Sequence, residues 1–381
     1  MTRSVVAVAA ITLVLLLTAC GGEDRPNRPN VEVIGGADTV SVSADSIAPQ
    51  GGTPSTPGAG GTPIAAAPGK YAPSSNVDSY FAFGADLRDM RAAMPAGGTP
   101  NFAAVEDIYT KGKNQTLANG TVRPLASIPS DAVHAVFPNG PAVYGRPNFI
   151  DAIIRDGLAG TGRAAGLPPA ARRQIVEKGV LMLFYGKAMQ EFAAARTRLD
   201  TNAASPNVPV DETWAVLAGP SSGGAYPDAL IATATSRERD FKLEGKLAAP
   251  LEASLATALA AAQRGDKAGF DRAYAEGRGY INAIFYLSAL RYAKVLESDV
   301  TQAARQEHLA EGWAYFQAIR ALAASGSSSA AQTVETAYSA NGSAAWTPAD
   351  TTRVYTALND SAVLQALGIP AALQVKTPPT P

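Results

Sequence analysis

The 381-residue chain carries 32 Lys and Arg against 33 Asp and Glu, is 46% hydrophobic and only 17% charged, and contains one cysteine and two histidines. That length allows about two domains, and the balanced charge supplies no positive surplus to neutralise phosphates, so no nucleic acid partner is expected. A single cysteine excludes an internal disulfide and every Cys-rich zinc site, and two histidines, His134 and His308, are too few for a three-His zinc centre or an HExxH helix.

The chain opens with Arg3, an apolar run from Val5 to Leu17, and Leu17-Thr18-Ala19-Cys20. The run is too short to span a bilayer comfortably and ends in small residues before a cysteine, so it reads as a secretion signal. The pattern resembles the bacterial lipoprotein signal, in which residues 1–19 are removed and Cys20 carries the lipids. The expected location is then the cell envelope, lipid-anchored and facing the periplasm or the exterior, with the membrane as a partner through Cys20. Gly21, rather than Asp, after the cysteine permits outer-membrane sorting in a two-membrane bacterium.

From Gly21 to about Ser75 the composition is Gly, Pro, Ser, Thr and Ala, too poor in apolar residues to offset its ordering entropy. It reads as a tether, with a short strand at Val31–Ile34 as its one structured candidate. The expected division is a signal peptide at 1–19, a lipidated cysteine and tether at 20–75, a helical domain at 76–370 and a disordered tail at 371–381. A chain cut near Ser75 is therefore expected to keep the stability of the whole.

Between about Val77 and Pro370 apolar residues recur at helical spacing and period-two alternation is almost absent, which predicts an all-α, multi-helix bundle. One helix ends at the glycines Gly157, Gly160 and Gly162. Pro168 and Pro169 open a long helix through Arg196, in which Ile175, Gly179, Met182, Gly186, Met189 and Ala193 form a seam of small and flexible residues for a close neighbour. Asp211 sits where an N-cap belongs, before a helix stopped by Gly219-Pro220. Further helices are expected at Pro227 to Phe241, Pro250 to Arg264, Lys267 to Glu297, Thr301 to Ala324, Ser329 to Tyr338 and Pro348 to Leu358. An echo between Ala103–Tyr109 and Ala330–Tyr338, and between Lys178-Gly179 and Arg278-Gly279, suggests a duplicated helical unit.

Candidate chemistry gathers on the helix after Thr301. Leu309, Gly312, Trp313, Phe316 and Ile319 make an apolar stripe, and His308, Glu311 and Tyr315 line the adjoining one. Carboxylate, imidazole and phenol are donors that iron accepts, and His-x-x-Glu on one helix can aim both groups at one ion. The same spacing also fits a solvated His308 and a Glu311 hydrogen-bonded to a neighbouring helix. One helix supplies too few ligands, so partners are sought in Asp211 and Glu212, in Glu191, or in Glu276 and Tyr280. The cluster Arg237-Glu238-Arg239-Asp240 reads as a solvated ion-pair face. No Gly-x-Ser-x-Gly elbow and no phosphate loop is present, and no enzymatic activity is expected.

Four stretches resemble the low-iron-inducible periplasmic protein family, the ferric-assimilation proteins first known from green algae. Phe102–Asn114 is similar to the family's Ile-Tyr-x-x-Gly-Lys-Asn turn, and Val210–Ala215 to its Asp-Glu-Ala helix start. Arg237–Phe241 lies where the family has a basic pair followed by Phe, and Ala310–Phe316 is similar to its Ala-Glu-Gly-Ala-Ala-Phe segment. The resemblance spans roughly residues 80 to 365. It implies a secreted helical protein that binds iron or helps assimilate it under iron limitation, with an iron transporter as partner. It supplies no ligand set, so the metal candidates remain Glu311, Glu212, His308, Asp211 and Tyr315. The chain departs from the family in lacking the algal cysteines and in carrying Trp313 and Tyr315 for small residues. The other function open to the sequence is an interaction or structural lipoprotein of the envelope that binds no metal.

Overall fold

A computed structural model describes residues 71–378 apart from Gly223, together with Val31–Val33 and Val40–Val42. The expected signal segment and Cys20 lie outside the described residues. The two valine-rich segments pair antiparallel, Val31 opposite Val42, so the expected strand has a partner. Among the described residues all other elements are helices.

Fourteen α-helices are described: α1 Asp78–Ala93, α2 Phe102–Lys111, α3 Asp131–His134, α4 Gly140–Tyr144, α5 Phe149–Ala159, α6 Pro169–Asp200, α7 Val208–Ala218, α8 Leu230–Phe241, α9 Ala248–Arg264, α10 Lys267–Val295, α11 Gln302–Gly326, α12 Ser328–Tyr338, α13 Pro348–Leu358 and α14 Ser361–Leu367. The boundaries follow local chemistry. Pro169 and Pro348 stand in first turns, where a missing N–H costs nothing. Thr347 and Asp350 close a reciprocal capping box at the start of α13, and Gly160 ends α5 in the left-handed conformation.

Three long helices make the centre. α6 packs on α11, α11 on α10 and α10 on α6, while α5, α7 and α1 cover α6, α8, α9 and α13 cover α10, and α12 and α14 cover α11. The seam on α6 works as its small residues suggest. A Cβ at Gly179 would press on Ile154 of α5 at 2.9 Å, and one at Gly186 on Val133 of α3 at 2.8 Å. Gly279 on α10 instead lies against the backbone carbonyl of Gly368, just after α14. The two basic-glycine steps therefore meet different partners, and this pair gives no support to a duplicated unit. Among the described residues no helix is long and apolar enough to cross a membrane.

The ordered body reaches beyond both expected boundaries. Tyr71 is buried, and at the other end the Asn359 Nδ2 donates to the Val375 carbonyl at 3.0 Å.

His134, at the end of α3, lies 4.7 Å from the Phe149 ring, and its Nε2 is enclosed without a protein partner. Burial lowers its pKa from the ordinary 6.5. A histidine kept neutral in the fold but free to charge when unfolded stabilises above its unfolded pKa, and that contribution is lost as pH falls through the folded value. Urea titrations should show stability declining below about pH 6.5, and His134→Leu should flatten that part of the profile.

Candidate functional site

The polar interior is organised by two lysines on α6. Lys178 and Lys187 are nine residues apart, two and a half helical turns, and so point to opposite sides of the helix. The segment between them, Gly179 to Gly186, carries no charge.

On the side facing α11, the Lys178 Nζ lies 2.7 Å from Glu177 and 3.2 Å from Glu311, and Arg91 of α1 adds a second cation, 2.9 Å from Glu177. Two carboxylates and two cations balance. Burial opposes the charge on Lys178, yet Glu177 and then Glu311 raise its pKa above that of an ordinary lysine. For Glu177, burial acts upward, but Lys178 and Arg91 together bring it down to about 2. The Tyr315 ring packs under the ammonium at 5.4 Å and stacks on Tyr292 at 5.8 Å. His308, one turn away and partly exposed, pairs with Asp299 at 2.8 Å.

On the side facing α7, Lys187 Nζ lies 2.5 Å from Glu191 and also donates to Gln190 at 2.9 Å. The Tyr80 hydroxyl approaches Glu191 at 3.4 Å. Burial and then the neighbouring charge of Glu191 raise the Glu212 pKa well above the usual range, against a smaller opposing pull from Lys187. Among the described residues, Lys187 is the cation paired on this side, against two acids.

Asp211 has a different task from both expectations. α7 begins at Val208 with Asn207 as its N-cap and Pro209 in its first turn, so Asp211 is inside the helix and caps nothing. Its fully buried carboxylate accepts from the Tyr71 hydroxyl at 2.8 Å, from the Ser74 N–H at 3.0 Å and from the Ser74 and Ser75 hydroxyls at 2.8 Å each. Tyr71 also stacks on Trp214 at 5.1 Å, and its N–H donates to Glu252 of α9. Burial raises the Asp211 pKa against the pull of these donors. Residues 71–75 are thus a strap fastened to α7.

The five candidate ligands therefore separate. Glu311 and Tyr315 share Lys178, His308 sits beside them on Asp299, and Asp211 and Glu212 lie across α6. Among the described residues no group of three or more His, Cys, Asp or Glu is arranged to hold a metal ion. The physical reason is that each candidate acid already faces a lysine, another acid or the strap. Glu191, considered as a partner for the metal, is instead the counter-ion of Lys187.

Two other motifs acquire structural roles. In the turn after α2, the Asn114 N–H and Nδ2 donate to Asp86 at 2.8 and 2.9 Å, and Gln115 Nε2 reaches its other oxygen at 2.8 Å. Gly112 permits this turn with φ of 74°, where a Cβ would meet the Arg123 carbonyl at 2.9 Å. The Arg237–Asp240 cluster is only half solvated. Arg237 and Glu238 are buried, Glu238 accepts the Leu247 and Ala248 N–H groups at the start of α9 at 2.6 and 3.0 Å, and Asp240 bridges Arg237 and Arg291 at 2.8 and 2.9 Å.

Residues 56–304 match the family described as low iron-inducible periplasmic protein. The chain belongs to this family. The matched stretch holds the strap and three of the four segments that carry the resemblance, those of the Asn114 turn, α7 and the Arg237 cluster, and ends before Ala310–Phe316. Both lysines of α6 and the Glu191–Glu212 pair fall inside it; Glu311, His308 and Tyr315 fall outside. Comparison with curated proteins and with solved structures gave no match.

Proposed function

We propose that this protein is an envelope lipoprotein, anchored through Cys20, that takes part in iron assimilation when iron is scarce. The observation that carries the reading is membership of a periplasmic family named for induction by low iron; the signal-like first 19 residues and Cys20 support the anchor. Cys20→Ser should leave the protein free of membranes or with its signal uncut, and a variant that still fractionates with membranes after signal removal refutes the anchor.

A second reading, an interaction protein that works without bound metal, draws on the engagement of every candidate acid with protein partners. Titrating the mature chain with Fe(II) and with Fe(III) separates the two. In the first reading iron binds with an affinity that falls in acid, because carboxylate ligands must be ionised, and Glu311→Gln weakens Fe(III) binding strongly while His308→Ala costs less. No binding above a scrambled acidic control supports the second; unchanged binding by Glu311→Gln shows that Glu311 is not a ligand.

A further inference from the structure

We propose that the cavity beneath residues 339–347 binds a small organic acid, a carboxylate carried on a compact apolar body of about one ring. The cavity lies where the loop from α12 to α13 passes over the start of α11. Its volume is about 210 Å³, below the roughly 300–1,000 Å³ of sites for drug-sized molecules, so the ligand must be small.

The interior is apolar. Leu296, which follows α10, Leu309 of α11 and Ala337 of α12 are buried along it, and Trp346 forms a further wall. The Trp346 ring is held in place, stacked on Tyr338 at 5.9 Å and donating its indole N–H to the Thr351 hydroxyl at 3.0 Å. The loop is fastened too, because Gln306 Nε2 donates to the Asn341 carbonyl at 3.1 Å and Arg305 Nε to the Gly342 carbonyl at 2.8 Å. Walls fixed in this way leave little to be ordered when a ligand enters.

The charge of the lining is unbalanced. Arg305 is 9% exposed, and its guanidinium donates to two carbonyls, that of Gly342 and, at 3.1 Å, that of Asp299. Asp299 keeps its carboxylate for His308, and among the described residues no acid pairs with Arg305 and no other group accepts from its remaining N–H donors. Arginines are almost never buried so far without an acid to pair with. At the mouth, the exposed Arg353 lies 3.0 Å from Asp350, whose other oxygen is taken by the N–H and hydroxyl of Thr347. Two cations of the lining thus stand against one acid already in use, and an entering carboxylate supplies the charge that is missing. The apolar walls select the rest of the molecule, since a bare oxyanion such as phosphate would give up its water there for too few donors. None of the five metal candidates lines the cavity, and an acid bound here touches no proposed iron ligand.

The test follows the indole N–H signal of Trp346, assigned with Trp346→Phe, in NMR titrations of the full mature chain with benzoate, with its neutral counterpart benzamide and with inorganic phosphate. Benzoate should shift that signal saturably. Benzamide should bind about tenfold more weakly, the worth of a charge-assisted hydrogen bond, and phosphate should leave the signal unmoved. Arg305→Gln should weaken benzoate binding by about tenfold as well. Ala340→Phe, at an exposed lining position, should block binding without altering helix content. No saturable shift with benzoate, equal affinity for benzamide, a phosphate shift matching that of benzoate, or undiminished binding by Ala340→Phe overturns the proposal.

Discussion

Replacing Lys178 by Met should destabilise the protein by about 3 kcal/mol, because it strips the cation from the buried Glu311 carboxylate and the half-buried Glu177 carboxylate while roughly preserving volume. Glu311 would lose the ammonium 3.2 Å away and Glu177 would keep only Arg91. The shape of the pH profile should change as well. A Glu held at about 2 in the fold contributes stability that is present above its unfolded pKa and lost as pH falls toward the folded value. Without Lys178 the Glu177 pKa rises, so the contribution shrinks and acid unfolding begins at higher pH. Urea midpoints across the acid range measure both effects. The double variant Lys178→Met with Glu311→Gln should recover part of the loss, and a single variant as stable as wild type would show that the ion pairs contribute little.

A chain beginning at Asn76 should be less stable than one beginning at Lys70 by on the order of 4 kcal/mol. The shorter chain loses the buried Tyr71 ring, whose burial is itself a term of about 2 kcal/mol. It also deprives the Asp211 carboxylate of the donors of Tyr71, Ser74 and Ser75, and hydrogen bonds to a charged group are worth more than ordinary ones. Differential melting of the two chains decides the matter. Equal melting temperatures would return residues 71–75 to the tether, where the amino-acid composition alone puts them.

That difference shows where sequence reading succeeds. The helices were legible because their signals are local: Pro168-Pro169 before α6, Thr301 before α11, Pro348 in the first turn of α13, and glycine seams at fixed spacing. Asp211 could not be read in that way. Its partners, Tyr71 and the serines, lie about 140 residues back in a stretch whose Pro, Gly and Ser content otherwise suggests a tether. Arg237 and Glu238 looked solvated for a similar reason, since four adjacent charges give no hint that two turn inward against α9 and α10. The lysine centres did leave a sign. Lys178 and Lys187 bracket the uncharged segment from Gly179 to Gly186 in a helix covered on several sides, and lysines so placed need buried counter-ions. Two of the acids that answer them, Glu177 beside Lys178 and Glu191 one turn after Lys187, lie on α6 itself and could have been read from spacing; Glu311 depends on the packing of α11 and could not.

Lys178 also fixes how far α6 can slide. Gly179 and Gly186 are seven residues apart, so an apolar seam alone would accept a shift of one heptad, about 10 Å along the axis, with one glycine taking the place of the other. The same shift would carry Lys178 away from Glu311 of α11, whereas Lys187 and Glu191, four apart on α6, would move together. Glu311, left buried without its cation, would raise the energy of the slipped arrangement. The small residues set how closely α6 is approached; Lys178 singles out one register.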